Sequence, residues 1–250
     1  GPGQLFAAVG YRYLMHSSGG QFSTIGFVDQ PLQGHMNGAP TGRVAHTLFQ
    51  TLLSCASGCD DFDAYDDLQL PRTPIAICAS ADRLALLTTA TDAGAALFVE
   101  AGDGGWPLGG TLNHARITEC ARTADDNTFV AGLGGVLNVG SGLVEGPDQT
   151  SLGRDPALEA WTLLGTDGVR VVAASVRGAV SVRNGLGVWA TRQALAGEVT
   201  ALAVESQTSV WIAGTGVGLA RWDGTTWHDE GAGPSGLAAF QALALEGGYV

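Results

Sequence analysis

Strand-like apolar runs recur along this chain with a spacing of about 41 residues, and that spacing restricts the fold more than any other feature. The clearest copy is Val210–Trp227. There Val210-Trp-Ile-Ala-Gly214 and Gly218-Leu-Ala-Arg-Trp222 read as two short strands, an Asp223-Gly224 turn follows, and a third strand begins. Equivalent runs precede it at Ala160–Leu164, Val169–Ser175, Gly178–Arg183 and Gly187–Thr191. Earlier copies lie at Ile117–Ala121, Thr128–Gly132, Gly135–Val139 and Gly142–Glu145, and at Ile75–Ala79, Leu84–Thr88, Ala95–Glu100 and around Trp106. Ala131-Gly132 matches Ala213-Gly214 at 82 residues, Glu205 matches Glu246 at 41, and Cys78 matches Cys120 at 42. Four strands in each such period predict the blades of a β-propeller.

The ends of the chain fit that prediction. Val199–Val204 repeats as Phe240–Leu245 and the chain then stops, while Leu5–Val9, Arg12–Ser17 and Gln21–Gly26 supply three strands at the start. Pairing the last strand with these three completes one blade, closes the ring and leaves no open sheet edge between the ends. The count is four continuous blades and one split blade, five in all, within a single domain over 1–250. Residues 29–72 are expected as an irregular insertion or a degenerate blade. The 79 residues from Leu5 to Leu84 favour the blade and thus a six-bladed alternative; the poor strand pattern favours the insertion. Within it, Val44, Leu48 and Leu52 permit a short amphipathic helix, or Arg43–Leu53 forms one long strand.

Composition narrows the chemistry. The net charge is −12 and the few basic residues are scattered, so neither nucleic acid nor an anionic membrane surface is an expected partner. All 12 basic residues are arginine. Without lysine there is no Schiff-base chemistry and no ordinary P-loop. No apolar run reaches the ~20 residues of a membrane helix. Gly1-Pro2-Gly3 reads as a trimmed start.

Several motifs invite a site. Gly214-x-Gly216-x-Gly218 is followed by a strand where a phosphate loop needs a helix, so it reads as a hairpin turn. Asp61, Asp63 and Asp67 alternate in an acidic run and form a candidate calcium set, but the glycine and the bidentate Glu of an EF-hand loop are absent. The other reading of this run is a solvated loop. Trp106, Trp189 and Trp227 share one place in their units. Aromatics so placed either stack on a glycan or pack between blades. Four cysteines allow two disulfides; Cys78 with Cys120 joins equivalent innermost strands, and Cys55 with Cys59 clasps the irregular segment. An oxidised set implies an extracytoplasmic location, periplasmic, cell-surface or secreted; free buried thiols are the alternative.

Trp211-Ile-Ala-Gly-Thr215 and Leu219-Ala-Arg-Trp-Asp-Gly224 resemble the repeat of bacterial "regulator propellers". That unit matches well, and Val172–Trp189 matches in part, with Asn184-Gly185 at the turn. The resemblance implies a propeller with a binding or scaffolding role, found in sensor ectodomains and secreted proteins, and no catalytic residues. The expected function is therefore a non-catalytic extracytoplasmic module for a protein or glycan. The alternative is a glycan-acting enzyme with carboxylates at the channel mouth, for which the innermost strands offer Glu119 and Glu159.

Overall fold

The computed structural model describes residues 4–9, 13–18, 21–27, 36–38, 44–48, 51–55, 66–70, 72, 74–79, 83–89, 94–101, 105–114, 116–146, 160–194, 197–206, 208–215, 218–231 and 240–246. Among them there is no helix. Four strands, β8 (Pro74–Ala79), β9 (Leu84–Thr89), β10 (Ala95–Val99) and β11 (Leu108–Leu112), form one antiparallel sheet in chain order. The next two units repeat the pattern with β12 (Glu119–Arg122), β13 (Thr128–Gly132), β14 (Gly135–Asn138) and β15 (Leu143–Glu145), then β16 (Trp161–Thr166), β17 (Val171–Ser175), β18 (Ala179–Arg183) and β19 (Trp189–Ala194). The Val210–Trp227 stretch lies in a fourth sheet of β20 (Glu198–Ser206), β21 (Ser209–Thr215), β22 (Gly218–Trp222) and β23 (Trp227–Gly231).

The chain ends meet in a further sheet. The last strand, β24 (Phe240–Glu246), pairs with β1 (Gln4–Val9), which pairs with β2 (Tyr13–Ser18) and then β3 (Gln21–Phe27). The register places Leu5 opposite Leu245 and Ala7 opposite Leu243. Between these and the regular units lies a sixth four-stranded sheet of β4 (Met36–Gly38), β5 (Val44–Leu48), β6 (Thr51–Cys55) and β7 (Asp66–Gln69). Residues 29–72 thus hold a sheet. Neither the helix nor the single long strand expected over Arg43–Leu53 forms there; β5 and β6 make a hairpin with Leu48 opposite Thr51 and Val44 opposite Cys55. Val44, Thr47 and Thr51 are β-branched and suit a pleated strand better than a helix.

The sheets stack through the first strand of each unit. β8 lies beside β12, β12 beside β16, β16 beside β20, β20 beside β24, β24 beside β4 and β4 beside β8. Sheets covered on both faces need apolar residues on both faces, so inner strands lose the usual alternation. In β9 the five residues Leu84–Thr88 are all buried, as are all five of β17. Outer strands are thinner and wetter, with Leu143 and Val144 of β15 and His228–Gly231 of β23 exposed. Gly214 sits where β21 leaves β20. A Cβ there would collide with the Glu198 carbonyl, so only glycine fits, and Gly218 opens the next strand at φ +67°.

Candidate functional site

The first two regular units are joined at the inner strands. Cys78 of β8 and Cys120 of β12 form a disulfide across a Cα–Cα distance of 5.4 Å. Both are fully buried in a cluster with Ala76, Ala85, Leu87, Leu97 and Val130. The equivalence of the two positions in sequence is thus a proximity in space. Cys55 lies in β6 opposite Val44, and Cys59 falls outside the described residues.

The three tryptophans occupy one structural place, at or just before the start of an outermost strand. Each is half-buried in the apolar layer between neighbouring sheets. Trp106 packs against the cluster of Leu70, Ile77, Leu84 and Leu86. Trp189 packs against the cluster containing Phe129, Val136 and Trp161. Trp227 packs against the cluster containing Val172, Val182 and Trp222, with its ring centroid 5.6 Å from that of Trp222. In the β12–β15 sheet this place falls to Leu143, which is 65% exposed.

Glu145, at the end of β15, takes donors from its own sheet and from the next one. Arg183 donates to it through Nε at 2.5 Å and Nη2 at 3.0 Å, Trp189 Nε1 at 2.8 Å, and Asn138 Nδ2 at 3.0 Å. Burial pushes its carboxyl upward, but the hydrogen bonds from Arg183, Asn138 and Trp189 and the Arg183 charge outweigh this and hold it below its ordinary value. The Arg183 guanidinium also lies 4.8 Å from the Phe129 ring centroid. The bond joins β15 of one sheet to β18 and β19 of the next.

On the same side lie turns fixed by their own side chains. Asp167 Oδ1 accepts from the amides of Val169 and Arg170, at 2.9 and 2.6 Å, and Asp167 Oδ2 pairs with Arg170 at 2.8 Å. Asn184 Oδ1 accepts from the amides of Leu186 and Val188, each at 3.0 Å. The two tips adjoin, since a Cβ on Gly185 would sit 3.7 Å from Val169 Cγ1. The Ala124 amide donates to the Gly168 carbonyl at 2.7 Å and brings the Thr123–Asn127 turn alongside. There Thr123 donates to Asp125, and that bond, with help from the Arg183 charge, holds the Asp125 carboxyl low. Arg122 pairs with Asp126 at 3.1 Å.

The equivalent turn in the β20–β23 sheet is built the same way. Asp223 Oδ1 accepts from the amides of Thr225 and Thr226, and its Oδ2 meets His228 Nε2 at 2.6 Å. The Thr226 amide, His228 and Thr225 hold the Asp223 carboxyl well below the carboxylate range. His114 sits between units, where its Nε2 contacts the Gly135 carbonyl at 3.3 Å.

Of the candidate calcium residues, Asp67 lies in β7 opposite Leu53, and Asp61 and Asp63 fall outside the described residues. Among the described residues no three His, Cys, Asp or Glu side chains converge as a metal site. Glu119 lies half-buried in β12, where its Oε1 accepts from the Cys120 amide at 3.0 Å; Glu159 falls outside the described residues. No helix among the described residues is long and apolar enough to cross a membrane.

The chain is similar in structure to several solved proteins. A chain of a nidogen/laminin complex superposes with a TM-score of 0.70 at 9% identity, covering 98% of both chains. TolB from Acinetobacter baumannii matches with a TM-score of 0.67 at 11% identity, over 98% of this chain and 67% of that one. The extracellular domain of a hybrid two component system from B. thetaiotaomicron matches with a TM-score of 0.55 at 13% identity, over 91% of this chain and 33% of that one. Identities this low speak for the fold alone, and the fold is an all-β propeller of four-stranded antiparallel sheets. No protein-family model matches the sequence, and no curated protein does.

Proposed function

We propose that this chain is a non-catalytic extracytoplasmic propeller that binds a protein partner, built as a closed ring of six regulator-type blades. The observation that carries the reading is the superposition, over 98% of both lengths, on a chain from a nidogen/laminin complex, in which a propeller of this size belongs to a protein–protein assembly. Another similar structure is named as an extracellular domain, which supports an extracytoplasmic setting. The buried Cys78–Cys120 bond supports an oxidising compartment, because cytosolic thiols are kept reduced. The cyclic order of neighbouring inner strands and the β1–β24 pairing support the ring. A glycan is the second class of ligand, with Trp106, Trp189 and Trp227 as its stacking residues, and calcium held by Asp61, Asp63 and Asp67 its accessory ion.

The test is binding and turnover on one purified sample. The protein is immobilised and probed with a displayed random-peptide library and a glycan array, with and without added calcium, and incubated with mixed polysaccharides. Peptide binding without release of reducing ends is expected. Turnover that disappears in Glu119→Gln would replace the binding module with the glycan-acting enzyme.

A further inference from the structure

We infer that the two turn tips of the β16–β19 sheet form a protein-docking knob, and that it takes a partner segment combining apolar and basic side chains. This rests on the binding role proposed above and assigns it a place on the molecule.

Tight turns are ordinarily polar, because their side chains stay in water on folding. Here they are apolar. Leu186 is 89% exposed, Val169 61% and Val188 59%. None of the three stabilises the fold by burial, and their display does not follow from the turn type. The Asp223 turn uses the same carboxylate-to-amide bonds and presents Thr225 and Thr226 instead.

The tips are also held in advance of any binding. Asp167 fixes one through two amides and an ion pair, and Asn184 fixes the other through two amides. Within the second turn the Gly187 amide donates back to the Asn184 carbonyl at 3.0 Å. A rigid apolar projection loses little conformational entropy when it is covered, which is how a few residues come to dominate an interface. Leu143 and Val144 are likewise exposed on the neighbouring β15, whose Glu145 is bonded to Arg183.

Charge selects the partner. Among the described side chains of this region, Arg122, Arg170 and Arg183 are each engaged by a carboxylate: Arg122 by Asp126, Arg170 by Asp167, and Arg183 by Glu145. Asp125 adds a fourth acid beside the tips, so the region carries a surplus negative charge on a chain whose net charge is −12. Such a field attracts arginine- and lysine-bearing segments and repels anionic membranes.

Peptides recovered from a displayed random library on the wild-type protein would be synthesised and titrated against three proteins. These are the wild type, the double variant Leu186→Asp/Val188→Asp, and Asp125→Arg. The sites are exposed, so circular dichroism should be unchanged; the double variant should melt as the wild type does, and Asp125→Arg, which loses the Thr123 bond, only slightly lower. The recovered sequences should combine Arg or Lys with Leu, Val or Phe. Their affinity should fall roughly tenfold or more on the double variant and several-fold on Asp125→Arg, where its salt dependence should also weaken. Peptides that bind the double variant as well as the wild type would overturn the knob while leaving the binding role intact. A library that yields no binder to any surface would count against both. Two controls complete the test. Sedimentation with neutral phosphatidylcholine vesicles, or self-association by sedimentation velocity, that is lost in the double variant would assign the tips to lipid or to a second copy and overturn the protein partner.

Discussion

Two neighbouring seams in this molecule share one sheet and hold it by different means. Where the β8–β11 and β12–β15 sheets meet, the link is covalent and central, with Cys78 and Cys120 bonded on the inner strands. The outer end of that seam has no tryptophan, and Leu143 and Val144 stand in water. Where the β12–β15 and β16–β19 sheets meet, Thr118 Oγ1 donates to the Trp161 carbonyl at 3.2 Å and the Ala124 amide to the Gly168 carbonyl at 2.7 Å, beside apolar packing. The ion pair is peripheral, with Glu145 taking donors from Arg183, Trp189 and Asn138. A propeller blade is a wedge, so each seam must be secured against sliding at some radius. This chain does it once by a bond near the axis and once by an ion pair at the rim.

The comparison predicts a graded set of effects. Replacing both bonded cysteines, Cys78→Ala/Cys120→Ala, releases a loop of 42 residues and should cost about 4 kcal/mol by the chain-entropy argument, read as a lower denaturation midpoint. Arg183→Ala leaves the half-buried Glu145 with a weaker set of donors and should cost about 1–3 kcal/mol, with Arg183→Lys recovering only part because the paired Nε and Nη2 contacts are lost. The two losses should add within ~0.5 kcal/mol. Glu145 and Cys120 sit on strands about 14 Å apart at three strand spacings, beyond the range of direct coupling. Strong non-additivity in chemical denaturation would show that the two links hold one seam between them.

The rim link also carries a pH signature that the central one lacks. Glu145 titrates below its ordinary value of 4.5 in the folded protein. A depressed folded value means the stabilisation is complete above the unfolded value and is lost as pH falls through the lower, folded one. The stability gap between wild type and Glu145→Gln should therefore be full at pH ~6 and shrink towards pH ~3. The gap between wild type and the cysteine double variant should stay level over the same range, because the disulfide does not titrate. Last in size, Leu186→Ser should change stability by less than ~0.5 kcal/mol, since a side chain 89% exposed contributes nothing to the core.

What could be read beforehand divides along the same line. The bond between Cys78 and Cys120 was legible because repetition puts equivalent residues at equivalent depth, and 42 residues is one period. The strands of Val210–Trp227 were legible from their glycines and alternation, as was the partnership of the two chain ends. Glu145 was not, because nothing repeats it. Its partners Arg183 and Trp189 lie 38 and 44 residues away, and only the stacking of two sheets brings them together. The hairpin of β5 and β6 was misread because Val44, Leu48 and Leu52 satisfy a helical spacing as well as a strand, and pairing with neighbours decides between them. The apolar tips at Val169, Leu186 and Val188 were hidden within runs that look like ordinary strand ends.

The absence of lysine makes one measurement unusually clean. Trypsin cuts this chain only at arginine, which places Cys78 in the peptide 73–83, Cys120 in 117–122, and Cys55 and Cys59 together in 44–72. Non-reducing mass analysis of protein recovered from its own cells should find 73–83 joined to 117–122, a species that separates on reduction. Peptide 44–72 joined to either of the others would contradict the seam, and 73–83 and 117–122 found as free thiols would contradict both the seam and the oxidising compartment proposed from it.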